Sequence, residues 1–173
     1  LGGRRKVIDV INILLGFAQI ALGLAGFSAI LVALSGSPHE WTPVDAFRIK
    51  NMLAFCFQAI FLALAPVLLT LLSVAEPDMW RISLIILSIA TFGSAVFAFC
   101  NFRRLSQPDR AVLRQPLVYS LITLLLFASL LEMATALSNF APAPGAFFAG
   151  LLVLLGLSVF LVIRFLFARP AAA

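Results

Sequence analysis

Five apolar runs divide this chain, and each is long enough to cross a lipid bilayer as an α-helix. A spanning helix needs about 20 predominantly apolar residues. Polar and turn-forming residues separate the runs, so the sequence predicts five spans with short links. The expected fold is an all-α transmembrane helical bundle that forms a single domain over residues 1–173. The predicted spans are residues 7–34, 48–74, 80–102, 117–138 and 146–167.

The composition excludes an ordinary water-soluble domain. Hydrophobic residues make up 63% of the chain, charged residues 11%, and the mean hydropathy is +1.13. Soluble domains are about 45 to 50% apolar and about 25% charged. The net charge of +5 does not indicate nucleic acid, because the basic residues gather at the ends of apolar runs, where they act as topology signals. We therefore expect the lipid bilayer as the principal partner and no nucleic acid.

Local signals predict where the second helix begins. Thr42 is suited to cap it, with Pro43 as the first helical residue and Asp45 as the third. A helix from Pro43 to about Val74 is longer than the bilayer requires. Its first turns, which carry Asp45 and Arg48, should therefore project past the hydrocarbon or bend along its surface.

Other boundaries follow from proline and acidic residues. Asp78 is expected to cap the third span. Residues 103–116 form a basic surface link, in which Pro108 and Asp109 can open a short helix.

The first apolar run, residues 7–34, is longer than the apolar core of about 7 to 15 residues in a signal peptide. We therefore expect this run to be retained as a helix.

The positive charges divide unequally between the two faces that five spans create. Four bases share the face of the N-terminus, and eight lie on the opposite face, which includes the 103–116 link. The positive-inside rule places the second face in the cytoplasm, with the N-terminus outside and the C-terminus inside. The basic cluster Arg4, Arg5 and Lys6 favours the reverse orientation.

Two rows of polar and small residues run along the first helix. Spacings of three and four residues place one row on a single stripe, and four-residue spacing gives an alanine ridge on another face. Small residues let helices approach closely in lipid, so both rows indicate helix packing. The stripe is Asp9, Asn12, Gly16, Gln19, Gly23 and Gly26, and the ridge is Ala21, Ala25, Ala29 and Ala33.

Glu132 is the only acid well within a predicted span. An ionised carboxylate near the middle of a span costs about 2.5 to 3.5 kcal/mol on insertion scales, so Glu132 should be protonated, paired or facing water. Two interpretations stay open: a polar pathway for an ion, a proton or a solute, or hydrogen bonding between helices. The candidate lining of the pathway is Asp9, Asn12, Gln19, Gln58, Glu132, Thr135 and Asn139.

The sequence carries no catalytic, cofactor or metal-binding motif. His39 is the single histidine and lies in a predicted loop, and Cys56 and Cys100 lie in apolar runs as expected for buried free thiols. We therefore expect no enzyme, no cofactor and no metal.

Four segments of the sequence are similar to segments of known proteins. They are Ala25-Gly-Phe-Ser-Ala-Ile30, Glu40-Trp-Thr-Pro-Val-Asp-Ala-Phe-Arg48, Leu-Ala-Leu-Ala-Pro ending at Pro66, and Glu76-Pro-Asp-Met-Trp-Arg81. Together they resemble a group of small multi-pass bacterial inner-membrane proteins of no known activity. The resemblance implies a bacterial plasma-membrane location and carries over no functional residue.

The functional expectation is a self-associating multi-pass membrane protein that forms, or contributes to, a small ion, proton or solute pathway. The alternative is a non-transporting accessory or assembly subunit that packs against a larger membrane complex. A homo-oligomer or another membrane protein is accordingly the expected protein partner.

Overall fold

The computed structural model describes residues 2–34, 41–138 and 144–167, with side chains described at 9–33, 41–138 and 144–167. These residues form six α-helices and no strand. All helices except the short α4 are long and apolar enough to cross a membrane. The predicted all-α bundle of five spans is confirmed, and the chain is a multi-pass membrane protein. The helices are α1 Gly2–Leu34, α2 Pro43–Leu71, α3 Glu76–Arg103, α4 Gln107–Val112, α5 Gln115–Leu137 and α6 Pro144–Phe167.

Two helix starts test the predicted caps. The Thr42 hydroxyl accepts a hydrogen bond from the Asp45 backbone N–H at 3.2 Å, so the predicted cap of α2 is confirmed. The predicted cap of α3 is wrong, because this helix begins at Glu76 and Asp78 lies inside its first turn. Pro77 is compatible with the first turn, where a backbone N–H needs no helical partner.

The end of α2 and the start of α4 are also set by local geometry. The helix α2 ends at Leu71 rather than near Val74, because Ser73 adopts a left-handed conformation with φ of 60°. The Val74 N–H then closes back on the Leu69 carbonyl at 3.1 Å, which satisfies one of the last helical acceptors. The predicted short helix in the basic link is confirmed as α4, and its cap is Ser106.

The helices α2, α3 and α6 form the centre of the bundle, with α1 and α5 as flanking helices. The most extensive helix pairs are α3 with α5, α1 with α2, and α2 with α6. Both α1 and α5 touch α6 only slightly. We call the end where α1, α3 and α6 begin the N-terminal end, and the end where α2 and α5 begin, which also holds α4, the basic end.

Large apolar side chains fill the interior and also cover the outside. Phe102, Phe147 and Leu151 are fully buried, whereas Phe61 and Leu130 are each 70% exposed. Lipid tails are as apolar as these side chains, so the inward positions are held by close packing rather than by transfer from water.

Candidate functional site: a buried carboxyl among α3, α5 and α6

The inward face of α5 is marked by its polar and small residues. The helix is apolar on nearly every side, yet Ser129, Glu132 and Ala136 are all buried. Their spacing of three and four residues places them on one stripe, as the sequence indicates. The stripe faces α3, which makes the largest interface of α5.

A reciprocal pair of hydrogen bonds joins α3 to α5. The Ser88 hydroxyl donates to the Ser129 carbonyl at 2.8 Å, and the Ser129 hydroxyl donates to the Ser88 carbonyl at 3.0 Å. Hydrogen bonds of this kind between membrane helices are worth about 0.6 kcal/mol each on average. The pair therefore fixes the register of the two helices more than it stabilises the bundle.

Glu132 lies one turn beyond this pair, closer to the N-terminal end, and is only 4% exposed. Its carboxyl group packs against Gly150 of α6 and Leu87 of α3. The side chain of Thr91 is close enough to interact with it, although neither carboxyl oxygen of Glu132 has a hydrogen-bond partner among the described residues. A buried polar group without a partner is costly, and in a membrane helix it is a functional candidate by default.

Gly150 explains how the carboxyl group fits between three helices. A Cβ atom built at Gly150 would contact Oε1 of Glu132 and would lie 2.6 Å from Cδ2 of Leu87. Only glycine leaves room at this point, so α6 approaches α5 through its backbone. The carboxyl group of Glu132 is therefore enclosed by packed side chains and by the α6 backbone.

A row of hydroxyl groups lies along the inward half of α3. We call Ser83, Ser88, Thr91 and Ser94 the α3 hydroxyl row. With Trp80 the row extends about 20 Å along the helix at 1.5 Å per residue, against a hydrocarbon thickness of about 30 Å. The hydroxyls of Ser83 and Thr91 and the indole nitrogen of Trp80 are buried without a partner among the described residues.

Gln58 joins the α3 hydroxyl row from α2. Its side-chain oxygen accepts a hydrogen bond from the Ser94 hydroxyl, while its Nε2 is buried without a partner among the described residues. Gln58 and Glu132 therefore both reach the interior of the bundle along α3. Of the predicted pathway residues, these two are the ones that the fold places on the row.

The polar residues of α1 lie elsewhere. Asn12 and Gln19 are exposed on the outer side of α1, and Asp9 is exposed in a cavity at the N-terminal end that Trp80 also lines. The helices α1 and α5 share no extended interface among the described residues. The fold does not bring these polar residues to Glu132. Thr135 bonds the Leu131 carbonyl of its own helix at 2.8 Å, and Asn139 lies outside the described residues.

The small residues predicted for helix packing divide between two faces of α1. Ala21 and Ala25 are buried, whereas Gly23, Gly26 and Ala29 are exposed and Gly16 is half-buried. Each four-residue step turns about 40° beyond a full helical turn, so an i, i+4 row drifts away from a straight interface. Ser28 is fully buried, donates to the Leu24 carbonyl at 2.6 Å and lies 3.4 Å from the Met52 sulfur, so Ser28 rather than Ala29 contacts α2.

The basic end holds a charged group that sequence reasoning does not find. Arg48, expected to project from the membrane, is only 7% exposed and pairs with Asp45 at 3.7 Å. The link between α3 and α5 folds over the first turns of α2 and buries Leu105 and Leu113, which encloses the arginine. The i, i+3 pairing of Asp45 and Arg48 is the one local signal for this arrangement.

No family model, curated protein or solved structure matches the chain.

Proposed function

We propose that the chain is a self-associating membrane protein that conducts protons through its bundle, with Glu132 as the group that binds and releases the proton. The observation that carries this proposal is the carboxyl group of Glu132, which is buried, packed tightly and unpartnered among the described residues. Burial of a carboxyl group without a partner is costly and serves no evident structural purpose.

The α3 hydroxyl row supports the assignment of a proton rather than a solute. A hydroxyl group donates one hydrogen bond and accepts others, so a row of them can pass a proton along when water molecules bridge the gaps of about 4.5 to 7.5 Å between neighbours. The hydroxyls of Ser83 and Thr91 have no hydrogen-bond partner among the described residues, and Thr91 lies beside Glu132. The positive-inside rule supports an orientation with the basic end in the cytoplasm.

The test is proton flux into liposomes that contain the purified protein and a pH-sensitive dye. A potassium gradient with valinomycin drives the flux. We expect Glu132→Gln to reduce the flux to that of protein-free liposomes, because glutamine keeps the size and polarity of the side chain but carries no exchangeable acid proton. Thr91→Val, which removes one hydroxyl at nearly constant shape, is expected to lower the flux without abolishing it.

Glu76→Gln is the matched control, since Glu76 is an exposed acid at the start of α3. It should conduct like the unmodified protein. Retained folding of each variant is checked by thermal unfolding in detergent. Full flux through a folded Glu132→Gln variant, or no flux through the unmodified protein, would overturn the proposal.

The bare outer face of α1 supports self-association. Asn12 and Gln19 are exposed there, and a Cβ atom at Gly16, Gly23 or Gly26 would meet nothing within 4 Å. Amide side chains facing hydrocarbon need partners, and small residues allow a second helix to approach closely enough to supply them. A second copy of α1 offers the same amides and glycines. The same face is the observation that favours the alternative, an accessory subunit packed on another membrane protein.

Disulfide cross-linking separates these two possibilities. In a variant with Cys56 and Cys100 replaced by alanine, Gln19→Cys is expected to form a covalent dimer in membranes under mild oxidation. Phe127→Cys is the control, because Phe127 is 64% exposed on α5 and lies ten residues from the end of its apolar span, as Gln19 lies ten residues from the start of its span at Asp9. Dimers from neither position, or equally from both, would contradict self-association through α1.

A further inference from the structure

A narrow crevice opens between α5 and α6 at the basic end. These two helices touch only slightly, and α2 forms the floor between them. The crevice encloses about 50 Å³, and its walls are almost entirely apolar. Representative wall residues are Phe55, Leu121, Leu125 and Leu157.

Two arginines lie at the mouth of this apolar crevice. Arg48 and Arg164 both line it, and they are close enough to interact electrostatically. Asp45 offsets only one of the two charges. The mouth therefore carries a net positive charge above apolar walls.

Arg48 is poorly satisfied compared with another arginine at this end. Arg110 donates to the carbonyls of Leu105 at 2.8 Å and Arg103 at 2.5 Å. The described residues give Arg48 one ion pair at 3.7 Å and no hydrogen bond. A guanidinium group has five N–H donors in a planar fork that suits a phosphate group. The guanidinium group of Arg48 therefore has N–H donors that could bind an anion.

The depth of the crevice matches one leaflet of a bilayer. Its α5 wall runs from Leu117 to Leu125, about 12 Å at 1.5 Å per residue, and half of the hydrocarbon core is about 15 Å. Arg48 and Arg164 lie near the membrane-surface ends of α2 and α6, where lipid headgroups are found. The deepest wall residues, Leu125 and Leu157, lie towards the bilayer centre.

We propose that this crevice binds an anionic phospholipid, with the phosphate held between Arg48 and Arg164 and one acyl chain along the apolar wall. Charge complementarity selects the headgroup, and the apolar walls suit an acyl chain that lies along the crevice. Basic pockets between helices on the cytoplasmic side of a membrane commonly hold anionic lipid headgroups. The site is distinct from Glu132, which lies closer to the N-terminal end.

Native mass spectrometry of the whole purified chain tests the site with phosphatidylglycerol and phosphatidylcholine of identical acyl chains. We expect phosphatidylglycerol to bind more tightly. Arg48→Gln and Arg164→Gln should each weaken its binding about fivefold, as one basic residue near a membrane surface contributes. Leu121→Trp should weaken binding of the lipid by filling the crevice while both arginines remain.

Arg103→Gln is the matched control, because Arg103 is an exposed base at the same end of the bundle. It should leave the affinity unchanged. An equal loss from Arg103→Gln would indicate diffuse surface charge, and equal binding of phosphatidylcholine would indicate chain contacts alone; either overturns the proposal. Displacement of the lipid by millimolar inorganic phosphate would assign a free-phosphate site instead. If Arg48→Gln does not fold, the Arg164→Gln variant provides the same test, because Arg164 is only half-buried.

Discussion

Gly150→Val is expected to lower the free energy of unfolding by about 3 kcal/mol, the upper range for overpacking a buried site. The added Cβ atom alone would contact Oε1 of Glu132 and lie 2.6 Å from Cδ2 of Leu87. Both neighbours are buried, so neither side chain can swing into free space. Unfolding by SDS titration in mixed micelles measures the loss. With Trp41 replaced by phenylalanine, the fluorescence of Trp80 provides the signal, since its indole ring lies 5.9 Å from the Phe147 ring of α6.

Gly156→Val is the matched control on the same helix. Gly156 is exposed, and a Cβ atom there meets nothing within 4 Å, so the change in stability should stay within about 0.5 kcal/mol. Adding Glu132→Ala to Gly150→Val should recover part of the lost stability by removing one clashing side chain. Equal losses from the two glycine substitutions would show that α6 does not approach α5 through Gly150.

Ala21→Leu is expected to have the second largest effect on stability, a loss of about 2 to 3 kcal/mol. Ala21 is fully buried, and α1 is held to the bundle chiefly through its interface with α2. A leucine at this position forces the two helices apart and also strains the contact of Ser28 with Met52, two turns further along. SDS titration monitored by circular dichroism measures this loss.

Gly23→Leu tests the outer face of α1, as Ala21→Leu tests the inner face. Gly23 is two residues from Ala21 but exposed, and a Cβ atom added there would meet nothing within 4 Å. The same leucine should therefore leave the stability of the single chain unchanged, while it lowers the yield of the Gln19→Cys dimer if copies meet through the outer stripe. An unchanged free energy of unfolding in the Ala21→Leu variant would contradict the packing of α1 on α2.

The spans and the inward face of α5 could be predicted because they depend on local pattern. Span length follows from bilayer thickness, and the spacing of Ser129, Glu132 and Ala136 alone puts them on one stripe. The cap at Thr42 is equally local. These features need no knowledge of which helix lies beside which.

Which helices lie side by side in the bundle could not be predicted in the same way. Depth along the membrane places Asp9 and Glu132 near the same end, but α1 and α5 flank different helices, so the two acids stay apart. Both faces of α1 carry small residues that allow close packing, so the local pattern does not tell that Ala21 turns inward against α2. Burial of Arg48 depends on a link more than fifty residues away in the chain, and the tight contact at Gly150 has no counterpart in the local sequence.

The extensive contact between α2 and α6 has a consequence for biosynthesis. The helices α3, α4 and α5 are all made between these two partners, so the inner face of α2 leaves the ribosome long before α6 can cover it. At 5 to 20 residues per second the delay is on the order of ten seconds. During that interval Arg48 and Asn51, which lie beside α6 in the finished bundle, lack their final surroundings.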